Sequence, residues 1–241
     1  MKHAIILAAG LGKRMGGKYP KVLTLLQEKT LIETLLDNIS GFFSRITVVI
    51  GFMGEEVIKR LSGRSESIAF AVQKEQKGTA DAVMSALGGI DDGEDIFILS
   101  GDVPLLRKKS LEEMCELRDR EKADLVLGTI MIEHPDGYGR VIEHHGEVAA
   151  IVEEKDADEE QKMVTLVNGG CYLINGGLLK KHIGEIRCEN KQKEYYLTDI
   201  VAILKKAGRN VRKYLFLRSW ELMGVNTPDD LKEVSKYVHA Q

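Results

Sequence analysis

Apolar and polar positions along the chain fall into two alternating patterns. Short continuous apolar runs occupy His3–Ala8, Ile46–Ile50, Ile68–Val72, Ile96–Leu99 and Leu125–Ile130. Between them lie stretches with apolar residues at helical spacing, at Leu31–Phe42, Thr79–Leu87 and Leu111–Arg120. The first pattern suits strands buried on both faces, the second amphipathic helices. Thr30 with Glu33, and Ser110 with Glu113, have the spacing of capping boxes and predict where two helices begin. Buried strands alternating with helices predict an α/β fold, with a mainly parallel Rossmann-like sheet carrying helices on both faces.

After about residue 131 the pattern changes. His134–Arg140 is rich in turn residues, Val141–Ile151 reads as a hairpin about His145–Gly146, and Leu166–Ile174 as a strand. Tyr195–Lys206 reads as a helix and Val211–Leu217 as a further strand. Thr227 followed by Pro228 is an N-cap with proline at the first helical position, opening a last helix to about Val238. No linker, low-complexity segment or repeat interrupts the chain. The expectation is one α/β domain over residues 1–241, with a smaller mixed lobe packed on it. In open α/β sheets ligands bind beyond the C-terminal strand ends, so chemistry is expected in the loops that follow strands.

Composition narrows the function. Of 241 residues, 44% are hydrophobic and 29% charged, ordinary values for a folded globular chain. A net charge of −3 argues against a nucleic-acid partner, so any cations that meet phosphate must be concentrated locally. No run approaches the ~18 apolar residues of a membrane span, and the apolar start Met1–Ala9 is too short for a signal peptide. Cys115, Cys171 and Cys188 fit neither a zinc site nor a disulfide framework. They read as reduced thiols of a cytoplasmic protein.

The first strand runs into Leu7-Ala8-Ala9-Gly10-Leu11-Gly12-Lys13-Arg14-Met15-Gly16-Gly17-Lys18-Tyr19-Pro20-Lys21. Small residues let backbone N–H groups approach an anion, as phosphate-binding loops require. Gly12 to Lys18 matches the start of a Walker A loop, but Tyr19 replaces the hydroxyl residue that would meet magnesium, and Pro20 would break the helix that should follow. The dinucleotide fingerprint fails as well, because Met15 stands where its third glycine is required. What remains is a glycine-rich loop with cations at Arg14 and Lys21, and with Lys13 and Lys18 beside them. Arginine offers a fork for bidentate phosphate contact, lysine a point charge. Gln73 closes a strand, where its amide could meet the edge of a base in either flip state. Gly78 and Thr79 open a helix, whose N-terminus suits a ligand's polar atoms. Asp102 follows a strand and a glycine, a position suited to holding a metal.

LAAGLGKRM followed by PKVL resembles the opening signature of the sugar-nucleotide pyrophosphorylases. The likeness continues in order along nearly the whole chain, through Gln73 with KGTA, GDVPL at Gly101, GYGR at Gly137, VEEKDA at Val152, NGG at Asn168, EYYLTD at Glu194 and GVN at Gly224. Within that family these segments are similar to the uridylyltransferase domain of the bifunctional enzyme that forms UDP-N-acetylglucosamine. The resemblance implies UTP and N-acetylglucosamine 1-phosphate as substrates, UDP-N-acetylglucosamine and pyrophosphate as products, and Mg2+ as cofactor. It implies catalytic roles for Arg14 and Lys21. It places the nucleotide on Leu7, Ala8, Ala9, Gly10 and Gly12 and on Gln73, Gly78, Thr79 and Gly101. It gives the sugar to Gly139, Glu153, Asn168, Tyr196 and Thr198, and the metal to Asp102 and Asn226. Residues 1–131 or so would bind nucleotide, residues from about 132 to 226 the sugar, and 227–241 would form the last helix.

The same chemistry on glucose 1-phosphate, on another sugar 1-phosphate or with another nucleotide stays open, as does a non-catalytic sensor of sugar nucleotides. Three departures from the family pattern stand out. Ser100 replaces the usual tyrosine, and Asn168-Gly169-Gly170 replaces Asn-Thr-Gly. The chain also runs only about 15 residues past Asn226 and carries no hexapeptide repeat. The left-handed β-helix acetyltransferase domain is therefore expected to be absent, and any homo-oligomer is of unspecified order.

Overall fold

The computed structural model describes residues 1–10, 12, 17 and 19–238. The chain opens with β1 (Lys2–Leu7), a small corner of β2 (Leu25–Leu26) and β3 (Lys29–Thr30), then α1 (Leu31–Asn38), β4 (Arg45–Ile50), α2 (Gly54–Leu61), β5 (Ile68–Val72) and α3 (Thr79–Ala86). It continues through β6 (Asp95–Ser100), α4 (Lys108–Glu121), β7 (Leu125–Met131), the hairpin β8 (Arg140–His144) and β9 (Glu147–Val152), and α5 (Glu159–Lys162). It ends with β10 (Leu166–Asn175), α6 (Gly176–Ile183), α7 (Asp199–Lys206), β11 (Val211–Leu215) and α8 (Pro228–Ser235).

Among the described residues nine strands form one sheet in the order β11-β7-β10-β6-β1-β4-β5, with β8 paired to β10 and β9 to β8. β1 runs parallel to β4 and β6, β4 to β5, and β7 to β11. The long β10 runs antiparallel between β6 and β7. The mixed lobe is thus an outgrowth of the same sheet, joined through the pairing of Val167 with Arg140.

Alternation along the strands divides the core in two, because successive side chains point to opposite faces. One face buries Ala4, Ile6, Val48, Phe97, Leu99 and Val126 under α1, α2 and α4. The other buries Ile5, Val49, Ile96, Ile98, Leu125 and Leu127 under α3, α6 and α7. Each fully buried Leu or Ile contributes roughly 1.5–3 kcal/mol, so the two faces together hold the sheet and its helices in place. A third cluster, with Leu26, Leu31, Leu105, Val225 and Val234, packs α8 against the β2–β3 corner and the loop after β6.

Two helix starts differ from the sequence expectation. Thr30 caps α1 through a complete capping box with Glu33. Ser110, in contrast, sits inside α4, which begins at Lys108 after an extended Arg107. Its buried hydroxyl donates to Glu221, a partner 111 residues away, instead of capping the helix. Tyr195–Thr198 also precedes the helix expected there, because the backbone of Tyr195 and Leu197 bonds to the segment opening α3.

At the sheet edge remote from the loops that follow the strands, His3 is fully buried on β1. Its Nδ1 donates to Glu94 at 3.3 Å and its Nε2 accepts from Thr47 at 2.8 Å, the neutral tautomer that satisfies both neighbours. Burial pulls its pKa below the ordinary 6.5, against the raising effect of Glu94. The folded state therefore resists a proton that the unfolded chain accepts, so stability is lost as pH falls below about 6.5. Wild-type protein should lose more unfolding free energy between pH 7.5 and 5.5 than His3→Gln, measured by urea titration. Equal losses in both proteins would remove His3 as the source.

Candidate functional site

β1 lies where the strand order reverses, with β4 and β5 on one side and β6 on the other. Such a switch point leaves a crevice beyond the C-terminal strand ends. Here Gly101, just past β6, donates its N–H to Leu7 O at 2.9 Å. A Cβ on Gly101 would meet that same oxygen at 2.8 Å, so the two loops approach this closely only with glycine. A cleft of about 480 Å³ opens above them. Its lining includes Leu7, Ala9, Gly10 and Gly12 from the first loop, Gln73, Gly78 and Thr79 from the second, and Lys21, Asp102 and Asn226.

Lys21, Asp102 and Asn226 converge at one end. The Lys21 ammonium donates to Asp102 Oδ2 and, at 2.9 Å, to Asn226 Oδ1. All three come from separate segments. Lys21 opens a 3-10 turn over Lys21–Leu23 that follows Pro20. Asp102 follows β6. Asn226 arrives from the far side: β11 and β6 share the sheet but are separated by β7 and β10. The chain after β11 returns through a 3-10 turn at Ser219–Leu222, and Val225 N then bonds to Asp102 O at 3.0 Å. Asn226 itself precedes Thr227, the residue whose capping box opens α8. Among the described residues Lys21 is the cation lining the cleft. Arg14, Lys13 and Lys18 lie outside the described residues.

The opposite end is built on the turn before α3. Gln73, 5% exposed, lies just past β5, and its Nε2 donates to Gly78 O at 3.0 Å and to Asp81 Oδ2 at 2.7 Å. Gly78 has φ +114°, and a Cβ there would sit 2.5 Å from Tyr195 O, so the turn accepts only glycine. Tyr195 N bonds to Lys77 O at 2.7 Å, Ala80 N to Tyr195 O at 2.9 Å, and Leu197 N to Thr79 Oγ1 at 2.9 Å. Thr79 therefore has a structural bond as well as its place on the cleft wall. Ala8 donates its N–H to Val49 O at 2.8 Å, while Gln76 donates to Ala9 O and lines the cleft. Gln76 and Glu194 were not singled out on sequence; Gln76 reaches back 67 residues, and no local spacing announces that.

Of the residues expected at the sugar, Asn168 lies on β10, Gly139 just before β8, Glu153 just after β9, and Tyr196 and Thr198 just before α7. Gly139 O accepts from Asn168 N at 2.9 Å, and a Cβ on Gly139 would lie 3.5 Å from the Glu153 carboxyl. Thr198 donates to Glu153 Oε1 at 2.9 Å. Burial pushes the Glu153 carboxyl above its ordinary range, with Asp199 and Asp156 adding to the rise while Thr198 opposes it. Asn168 Oδ1 accepts from Gly170 N at 3.0 Å, across a bulge in the β10–β7 pairing. The Tyr196 hydroxyl donates to Asp156 at 3.1 Å and accepts from Gln192 at 2.7 Å, and burial pushes its pKa up to about 12. Gly169, which departs from the family pattern, and Gly170 after it each stand in a tight local setting. A Cβ on Gly169 would fall 2.2 Å from Leu222 Cδ1, and one on Gly170, at φ +70°, would fall 2.6 Å from Ser100 Oγ.

The chain was compared with known proteins. The MobA-like NTP transferase domain matches residues 4–167. Bifunctional protein GlmU of Caldicellulosiruptor saccharolyticus is 43% identical over 231 residues, covering 94% of this chain and 50% of the relative. The same protein of Ruthia magnifica is 37% identical over 234 residues, covering 97% of this chain and 51% of the relative. The chain thus spans about half the length of the curated relatives it matches. A crystal structure of UDP-glucose pyrophosphorylase complexed with UDP-glucose superposes with a TM-score of 0.76, covering 100% of this chain and 99% of that one, at 17% identity. That likeness is one of fold. The match across most of the sheet and both loops of the cleft makes this chain a member of the MobA-like NTP transferase domain family, and a nucleotidyltransferase.

Proposed function

We propose that the chain transfers a uridylyl group from UTP to N-acetylglucosamine 1-phosphate, giving UDP-N-acetylglucosamine and pyrophosphate. The observation that carries the reading is the meeting of Lys21, Asp102 and Asn226 at one end of a cleft whose other walls are the glycine loop and the Gln73–Thr79 turn. The sequence likeness to GlmU supports the choice of substrates. Residues 1–131 would form the nucleotide part and residues 132–226 the sugar part, acting in the cytoplasm.

Asp102 and Asn226 present two hard oxygens to a single cationic nitrogen, Lys21 Nζ, so a donor pair aimed at one positive centre exists. That set fits Mg2+, which commonly takes one or two protein ligands and fills the rest with phosphate oxygens and water. When bound, the ion would neutralise triphosphate charge.

A sugar phosphate oxygen would attack the α-phosphorus in line as the bond to pyrophosphate breaks. No general base is required, since a phosphate monoester with a second pKa of about 6 is already ionised near pH 7. The protein's work is positioning and charge stabilisation. Lys21 would neutralise the oxygens gaining charge, a role the sequence resemblance also gives to Arg14. Backbone groups of Leu7–Gly12 would hold the nucleotide, and the half-buried Glu153 with Asn168 would meet sugar hydroxyls or the acetamide.

A matrix of four nucleoside triphosphates against N-acetylglucosamine 1-phosphate, glucose 1-phosphate and other sugar phosphates, read by pyrophosphate release, tests the assignment. UTP with N-acetylglucosamine 1-phosphate should be the fastest pair. A faster glucose 1-phosphate reaction would move the substrate, and binding without release under every pairing would make the chain a sensor.

Lys21→Ala should lower kcat by ~10²–10³ while changing UTP affinity far less, the usual cost of one lost transition-state donor. More than a third of wild-type kcat in that variant would end the catalytic role. Activity should vanish in excess chelator. Asp102→Asn should raise the magnesium needed for half-maximal rate, and Asn226→Ala should raise it by a smaller factor because that ligand carries no charge. Unchanged magnesium titrations in both variants would make these residues ordinary turn formers.

A further inference from the structure

A glutamine amide can present either its oxygen or its NH2 to a base, and the two orientations favour different bases. In this protein the choice is made behind the cleft. Both hydrogens of Gln73 Nε2 are committed, one to Gly78 O at 3.0 Å and one to the Asp81 carboxylate at 2.7 Å. Two acceptors on one side of the amide demand the NH2 there, and the carboxylate makes the demand the stronger one, because hydrogen bonds to charged groups exceed neutral ones. Gln73 lines the cleft, whereas Asp81 does not.

We propose that Asp81 is a positioning residue that locks the Gln73 amide with Oε1 toward the base, and so makes the site select bases with an imino N–H. Uracil meets an acceptor-only Gln73 with its N3–H. Cytosine brings an unprotonated N3, whose lone pair would face the lone pairs of Oε1. Without the lock the amide is free to turn and offer NH2 to cytosine instead. The location of Asp81 supports the role. It sits in the first turn of α3, whose N-cap is the constrained Gly78, so the backbone that carries the carboxylate is held by the Tyr195 segment.

This inference rests on the reading of the Gln73 end as the base site. Its test is equilibrium binding of UTP and of CTP to wild type, Asp81→Ala and Asp81→Asn, each checked for an unchanged melting profile. Wild type should prefer UTP. Asp81→Ala should lose at least ten-fold of that preference, mainly through tighter CTP binding, while Asp81→Asn, which keeps an acceptor oxygen, should restore most of it. An unchanged UTP-to-CTP ratio in Asp81→Ala, or equal weakening of both nucleotides in both variants, would overturn the lock. Binding is read without turnover, so a chain that binds selectively yet releases no pyrophosphate would refute the proposed reaction and leave the lock standing. A wild type that binds both nucleotides equally would refute the lock whatever the reaction.

Discussion

The contact between Gly101 and Leu7 sets the depth of the cleft. Parallel strands β1 and β6 end side by side, and the N–H of Gly101 bonds straight to Leu7 O at 2.9 Å. Any side chain at 101 would strike that oxygen, so the loops after the two strands can share one floor only through a glycine. Asp102 stands next to that floor because it is the next residue. The glycine loop stands over it because it continues from Leu7. A helix-flanked parallel sheet supplies the crevice in general terms, and this backbone contact puts Asp102 on the same cleft as Ala9, Gly10 and Gly12.

The far wall depends on a second close approach. Gly78 and Tyr195 lie nearly backbone to backbone, and three further hydrogen bonds join the Lys77–Ala80 and Tyr195–Leu197 segments. A helix running through Tyr195–Thr198 would use Tyr195 O as the acceptor for Asp199 N; that oxygen is instead taken by Ala80 N, and Asp199 N bonds to Tyr196 O, so α7 begins only at Asp199. The gain is rigidity across the division between the two parts of the chain. The segment that carries Thr198, and with it the half-buried Glu153, is fixed to the turn that carries Gln73.

Charge is distributed sparingly. The chain as a whole is slightly acidic, at −3, and the cleft places Lys21 against two oxygens at one end, while carboxylates gather around Glu153. Glu153 is half-buried near Asp156, Glu194 and Asp199, and burial first, then these charges, raise its pKa. A desolvated acceptor of this kind is strengthened toward hydroxyl or amide donors by the low local dielectric.

The early strands were legible as short apolar runs bounded by turn signals; His3–Ala8 and Ile96–Leu99 are buried on both faces in β1 and β6, whereas β5 at the sheet edge keeps all five residues partly or fully exposed. The Thr30 cap was legible because a capping box is a local device with a fixed spacing, and the Thr227 cap because threonine followed by proline marks an N-cap and the first helical position. α2 and α6 were not. α2 buries only Gly54, Val57 and Leu61, and α6 begins with two glycines, so neither shows a broad apolar stripe. Ser110 misled for the same reason in reverse: its spacing to Glu113 is that of a cap, and only Glu221, brought close by folding, draws its hydroxyl inward. In the cleft, the residue types and the order of the segments were set by the sequence. The tertiary structure decided what no spacing could carry: that Asn226, on the segment returning from β11, reaches Lys21, that Gln76 turns back to Ala9, and that Asp81 holds the Gln73 amide. These are contacts between segments tens to hundreds of residues apart, or choices of side-chain orientation, and both exist only once the backbone has closed around them.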